Sequence, residues 1–166
     1  MIGNIPKRFK IPESVLVVIY TPALEVLLME RADKPGFWQS VTGAREEEDA
    51  SLLVTAIREV AEETGIRAAT DHRQSPCLVD WQITNTYEIY PEWRYKYAPG
   101  ITRNTEHVFG LCVPEGTSVS LASGEHRRCF WLPCQKAAAQ CFSPTNASAI
   151  LLLPKRRHPA AGVPRV

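Results

Sequence analysis

Net charge of either sign is almost absent: 19 Lys and Arg against 18 Asp and Glu leave +1 at neutral pH over 166 residues. Without a net field, nothing global draws the chain to a nucleic acid or an anionic membrane, so the composition argues against both as partners. Long apolar runs are missing too. The longest, Val15 to Tyr20, is far shorter than the roughly 20 residues of a membrane helix and strand-like in content. The N-terminal stretch therefore reads as neither a signal peptide nor a span. Five cysteines (Cys77, Cys112, Cys129, Cys134, Cys141) make an odd set without close metal-ligand spacing. Cys129 and Cys134 with His126 would be half a zinc site, but no second pair completes it. The set reads as reduced thiols of a cytoplasmic protein, several of them in the core. Repeats and linkers are lacking as well. The length suits one domain, 1–153. Segment 154–166, Pro-rich and basic through Lys155, Arg156 and Arg157, holds too little apolar surface to fold alone and reads as a solvated tail. A phosphate-binding arm is the other reading.

What is present is concentrated in Arg58-Glu59-Val60-Ala61-Glu62-Glu63-Thr64-Gly65-Ile66. On a helix, Glu59 and Glu63 project from one face with Glu62 beside them. Like charges at that spacing destabilise a helix unless neutralised, and a divalent cation with hard oxygen ligands, above all Mg²⁺, is the obvious neutraliser. Ile57 and Val60 give the helix an apolar anchor, and Gly65 suits a left-handed C-terminal residue. Strings of this kind also occur as solvated acidic helix faces, so the surroundings must decide.

The pattern around this helix is that of alternating strands and helices. Ser14 to Tyr20 is continuously apolar and β-branched, which predicts a strand covered on both faces. Thr21-Pro22-Ala23 turns into a second strand, Glu25 to Arg31. Asp33-Lys34-Pro35-Gly36 is another turn, and Phe37 to Thr42 is a short extended segment. The helix spans about Ser51 to Thr64. Further strands are expected over Cys77 to Tyr90, His107 to Val113 and Arg127 to Leu132, and helices over Gln135 to Cys141 and Pro144 to Leu153. The class implied is α/β, a mixed sheet between helices.

Before the carboxylate helix stand Gly43 and the acidic loop Glu46-Glu47-Glu48-Asp49. Gly, a loop acid, a helical spacer, Arg-Glu, an aliphatic, Glu-Glu and Gly-aliphatic: this order resembles the signature of the Nudix hydrolases. The second half, Arg58 to Ile66, matches at every defined position. In the first half Ala50 stands where the family has an acid, so the loop is one residue longer. Asp49 or Ser51 is then expected to cap the helix, and replacing Asp49 to cost little activity. The strings Phe37 to Gly43 and Tyr97 to Glu106 sharpen the resemblance toward Nudix hydrolases of bacterial folate synthesis, over about Lys10 to Leu153.

The resemblance implies a Nudix-type α/β/α sandwich and Mg²⁺-dependent hydrolysis, with Mn²⁺ a possible substitute. The substrate it implies is a small-molecule triphosphate, dihydroneopterin triphosphate, cleaved to the monophosphate and pyrophosphate. Glu59 and Glu63 are the expected metal ligands, and Glu125 aligns with a further one, Glu106 and Glu115 being taken as carboxylates outside the chemistry. Glu62 and Arg58 are the expected catalytic pair, with Arg58 four residues before Glu62 and able to steer it. The choice of general base between Glu62 and Glu125 is left open by the sequence. Lys10 and Arg31, at the ends of the first two strands, suit phosphate oxygens. Thr42 presents a hydroxyl beside the metal loop, and Ser143 and Tyr87-Glu88-Ile89-Tyr90 match substrate-binding positions. A flat ring would stack on an aromatic, for which Trp38, Tyr87 and Tyr90 are the candidates. Two other functions are compatible with this reading: a less selective nucleoside triphosphate pyrophosphatase of house-cleaning type, and a non-catalytic Nudix-like binding module. Against the module stands the complete Glu59, Glu62 and Glu63 set.

Overall fold

The computed structural model describes residues 8–71, 73 and 76–156. The apolar run forms β1 (Glu13–Tyr20), and its alternate side chains feed two cores. Leu16, Val18 and Tyr20 enter one, and Val15, Val17 and Ile19 the other. Both faces of this strand are therefore covered, as a continuous β-branched run requires. Around it lie β2 (Glu25–Arg31), β3 (Trp38–Gln39), β4 (Val41–Ala44), β5 (Leu78–Glu88), β6 (Arg103–Cys112) and β7 (His126–Pro133). Among the described residues these seven strands make one sheet, ordered β3-β2-β1-β6-β5, with β4 also on β1 and β7 on β2. The β1–β6 pair is parallel and the other pairs are antiparallel, so the sheet is mixed.

Helix α1 (Leu52–Thr64) covers one face through Ala56 and Val60. The helices α2 (Cys134–Gln140), α3 (Pro144–Leu151) and α4 (Leu153–Arg156) cover the other through Ala137, Ala138, Ala149, Ile150 and Leu153. The result is the three-layered α/β/α arrangement expected from the element order. Cys134 belongs to one core and Cys129 packs against the other, so the two cannot share a metal. None of the described helices is long and apolar enough to cross a membrane.

Several boundaries move. Strand β6 starts at Arg103 rather than His107, and a 3₁₀ helix, Pro91–Lys96, follows β5. Strand β5 carries a bulge between Asp80 and Ile83, where Gln82 has φ 56°. The bulge turns Trp81 inward over Gly110, where a Cβ would overlap the indole. Pro154, Lys155 and Arg156, expected in the tail, form α4 instead, because Leu153 is fully buried and Arg156 donates to the Trp81 carbonyl at 2.8 Å. The tail from Arg157 onward lies outside the described residues.

Candidate active site

A cavity of about 860 Å³ opens between α1, β1, β5 and the start of α3. The expected catalytic, metal-binding and substrate-binding residues Arg58, Glu59, Glu62, Glu63 and Glu125, and Lys10, Arg31, Thr42, Tyr87, Glu88, Ile89, Tyr90 and Ser143, line it, and of the ring-stacking candidates Trp38 alone does not.

The acidic wall is built by α1. Ser51 is the N-cap, accepting from the Val54 amide at 3.2 Å, and Gly65 ends the helix in the left-handed region with φ 72°. Between these caps Glu59 and Glu63 turn inward and Glu62 stays exposed. Close approach of Glu59 to β4 depends on Gly43, where any Cβ would overlap the Glu59 side chain. Burial, opposed by Arg58 and assisted by Glu63, pushes the Glu59 carboxyl up to about 7. Burial also raises that of Glu63, against the pull of His126.

Asp49 is not the cap. It is 6% exposed and receives the Arg58 guanidinium through Nε at 3.2 Å and Nη2 at 2.8 Å. The Thr55 hydroxyl and the Glu46 amide donate to its Oδ2 at 2.9 and 3.0 Å. Arg58 in turn reaches Glu59 at 2.9 Å, Glu62 at 3.2 Å and the Ala44 carbonyl at 3.1 Å. Arg58 is thus a hub that positions two acids rather than a partner of Glu62 alone. Asp49 points inward while Glu47 and Glu48 face solvent and pair with Arg8.

The donor set fits a divalent cation. One ligand atom each of Glu63, Glu125 and His126 lies within 4.8 Å of the others. Glu59 falls outside that set, held toward Arg58. His126, placed by sequence only in an incomplete zinc idea, instead makes a 2.9 Å bond between Nε2 and Glu63 Oε2, and its buried Nδ1 has no hydrogen-bond partner among the described residues. Buried acids raised toward neutrality are what a hard cation would relieve.

Opposite lie the cations and aromatics. Lys10 is exposed as a residue, yet its ammonium is withdrawn enough that burial, then Lys96, lowers its pKa. Arg31 is held by Asp33 at 2.7 and 2.8 Å and lies over Trp93 at 5.3 Å. Thr42 accepts from Gln39 at 3.1 Å. Glu88 pairs with Arg94 and Arg103, and Ser143 caps α3 beneath Thr145. Tyr90 meets Trp93 edge-on at 5.2 Å. Trp38 is a correction: 5% exposed and stacked on Phe130 at 5.0 Å, it is a core residue outside the cavity wall. Trp93 and Phe142 line the cavity in its place. Glu106 is a second correction. It is 4% exposed on the cavity wall beside Asn104, whereas Glu115 is exposed at the surface. The one sequence signal for both is the Asn104, Glu106, Val108 alternation, which sets them on one face of a strand.

The NUDIX domain family model matches residues 10–153. A protein of Escherichia coli K12 named dihydroneopterin triphosphate diphosphatase is 41% identical over 145 residues, 87% of this chain and 93% of that protein. A relative of the same name from Haemophilus influenzae is 42% identical over 144 residues, 86% and 87% of the two chains. The solved structure of the E. coli dihydroneopterin triphosphate pyrophosphohydrolase matches with a TM-score of 0.76 at 41% identity, covering 87% of this chain and 95% of that one.

Proposed function

The chain belongs to the NUDIX domain family, and from that premise we propose that it hydrolyses dihydroneopterin triphosphate to dihydroneopterin monophosphate and pyrophosphate, the substrate named for its relatives. The observation that carries this reading is one cavity with a buried acidic wall on α1 and the cations Lys10 and Arg31 facing it. A triphosphate needs both, because its oxygens must be neutralised before a water can approach phosphorus.

A divalent cation, Mg²⁺ or Mn²⁺, held by Glu59, Glu63 and Glu125 would supply Lewis acidity toward the phosphate oxygens. The residues of the chain do the rest. Lys10 and Arg31 bind the anionic tail, and Thr42 and Ser143 offer hydroxyls along it. Arg58, locked by Asp49, fixes the rotamers of Glu59 and Glu62. Glu62 and Glu125 are the carboxylates available to take the proton of the attacking water. Tyr87, Glu88, Ile89 and Tyr90 form the wall against which the ring lies. The five cysteines form no disulfide among the described residues, which suits a reducing cytoplasm.

The test is pyrophosphate release from dihydroneopterin triphosphate and from the common nucleoside triphosphates with Mg²⁺ present. The pterin substrate should have the higher kcat/KM, and Glu63→Gln should lower turnover by roughly a hundredfold or more, the scale of losing one transition-state stabiliser. A preference for nucleoside triphosphates would instead support the house-cleaning pyrophosphatase.

A further inference from the structure

Four acids are buried outright in the described residues: Glu30, Asp49, Glu63 and Glu106. Three have basic partners. Arg128 holds Glu30, Arg58 holds Asp49, and His126 holds Glu63. Glu106 has no ion-pair partner among the described residues, and the bond it accepts from Asn85 Nδ2 is 3.5 Å long. Thr145 and Tyr87 also hydrogen-bond to it, yet burial outweighs them and raises its carboxyl. A buried carboxylate without a cation is costly unless strong donors reach it. Here the side chain lines the substrate cavity, so a ligand is the available source of donors.

A second buried acceptor stands next to it. Asn104, two residues earlier on β6 and on the same face, spends its Nδ2 on Ser14 at 2.7 Å and Tyr87 at 3.1 Å. Its Oδ1 is buried and accepts no hydrogen bond among the described residues. Parallel pairing of Ser14 with Glu106 fixes this wall rigidly within the sheet. It is therefore an acceptor-rich polar patch, built on strands, with spare capacity for donors.

We propose that Glu106, assisted by Asn104 Oδ1, is the specificity determinant that receives the N–H edge of a 2-amino-4-oxo-pyrimidine ring. This inference rests on the pterin reading above and extends it to the ring. That edge presents a ring N–H and an exocyclic amino group side by side, which match the two oxygens of one carboxylate. Guanine carries the same edge. Adenine instead presents a ring nitrogen lone pair, which would face the Glu106 oxygens and be repelled. The metal end of the cavity treats all triphosphates alike, so discrimination between rings has to arise at a wall such as this one.

Glu106→Gln keeps the volume but offers a donor where the second acceptor stood. It should lower kcat/KM for dihydroneopterin triphosphate by roughly ten- to hundredfold, chiefly through KM, while that for ATP holds or rises, because the new amide donates to the ring nitrogen that the Glu106 carboxylate repels. An equal effect on both substrates, or none, overturns the proposal. Should the variant not fold, the unmodified protein decides with GTP and ITP, which differ only in the 2-amino group. A preference for GTP of about tenfold supports the wall, and equal cleavage overturns it. Failure to cleave dihydroneopterin triphosphate alongside a clear GTP preference would overturn the proposed substrate and leave the ring-edge site standing. Cleavage of none of these triphosphates overturns both.

Discussion

Arg58 faces four carboxylates, and Asp49 alone receives two of its nitrogens. That guanidinium holds the Asp49 carboxyl down to about 2 from its ordinary 3.8. A depressed native pKa means that the unfolded chain takes up the proton first as pH falls. The stabilisation is therefore fully present above 3.8 and lost as pH falls through about 2. Asp49→Asn should melt earlier than the parent at pH 7, with the gap closing toward pH 2. It should also lose turnover, by roughly ten- to hundredfold, since Glu59 and Glu62 lose the anchored guanidinium that orients them. Thermal melts across pH, alongside kcat in saturating Mg²⁺, read both effects. Full turnover with a loss of only about 1 kcal/mol would leave Asp49 a structural anchor with no part in orienting the acids. Sequence could not separate the two roles, because capping and anchoring both need a carboxylate near the start of α1. Only the fold of the Glu46–Asp49 loop turns this one inward.

Packing of α1 against β4 is an element-scale feature that depends on a glycine. Gly43 leaves the room that Glu59 occupies, and the atoms a Cβ would meet are the outer ones of a flexible side chain. Gly43→Ala should thus expel the Glu59 carboxylate while the helix stays seated on Ala56 and Val60. We expect turnover to fall by at least about tenfold while Tm changes little, a split that a general packing defect would not give. Equal loss of both would mean that the helix itself had been lifted from the sheet. Elements of this kind were the most legible part of the chain. Strands β1 and β2 and helix α1 declare themselves because their periodicity is set by burial against a core. The start of β6 was missed for the opposite reason: Arg103, Asn104 and Glu106 face solvent or the cavity, so no apolar alternation marks them. Trp38 misled through the same rule, since an aromatic beside a site motif reads alike whether it packs in the core or lines a wall. The bulge at Gln82 has no sequence mark, being imposed by the need to seat Trp81 over Gly110.

At the scale of the whole molecule, stability and cation binding are linked through the acidic wall. With no cation, burial raises the Glu59 carboxyl from 4.5 to about 7. The native protein then keeps a proton that the unfolded chain has released, so this contribution is full below 4.5 and lost as pH rises through about 7. In chelator, the protein should therefore melt at a lower temperature at pH 8 than at pH 5. A cation acts in the opposite sense, because it binds the deprotonated acids and competes with the proton. At a hundredfold excess over Kd it adds about 2.7 kcal/mol, or roughly 5–10 °C in Tm for a domain of this size. That gain should be larger at pH 8 than at pH 5, and should shrink in Glu59→Gln and Glu63→Gln. The same two variants should melt no earlier than the parent in chelator, since each removes a charge that the empty wall holds at a cost. Calorimetric melts with and without Mg²⁺ at the two pH values decide the matter. A cation shift that is equal at both pH values, or that survives in both variants, would place the ion elsewhere and leave the α1 acids as a strained surface without a metal.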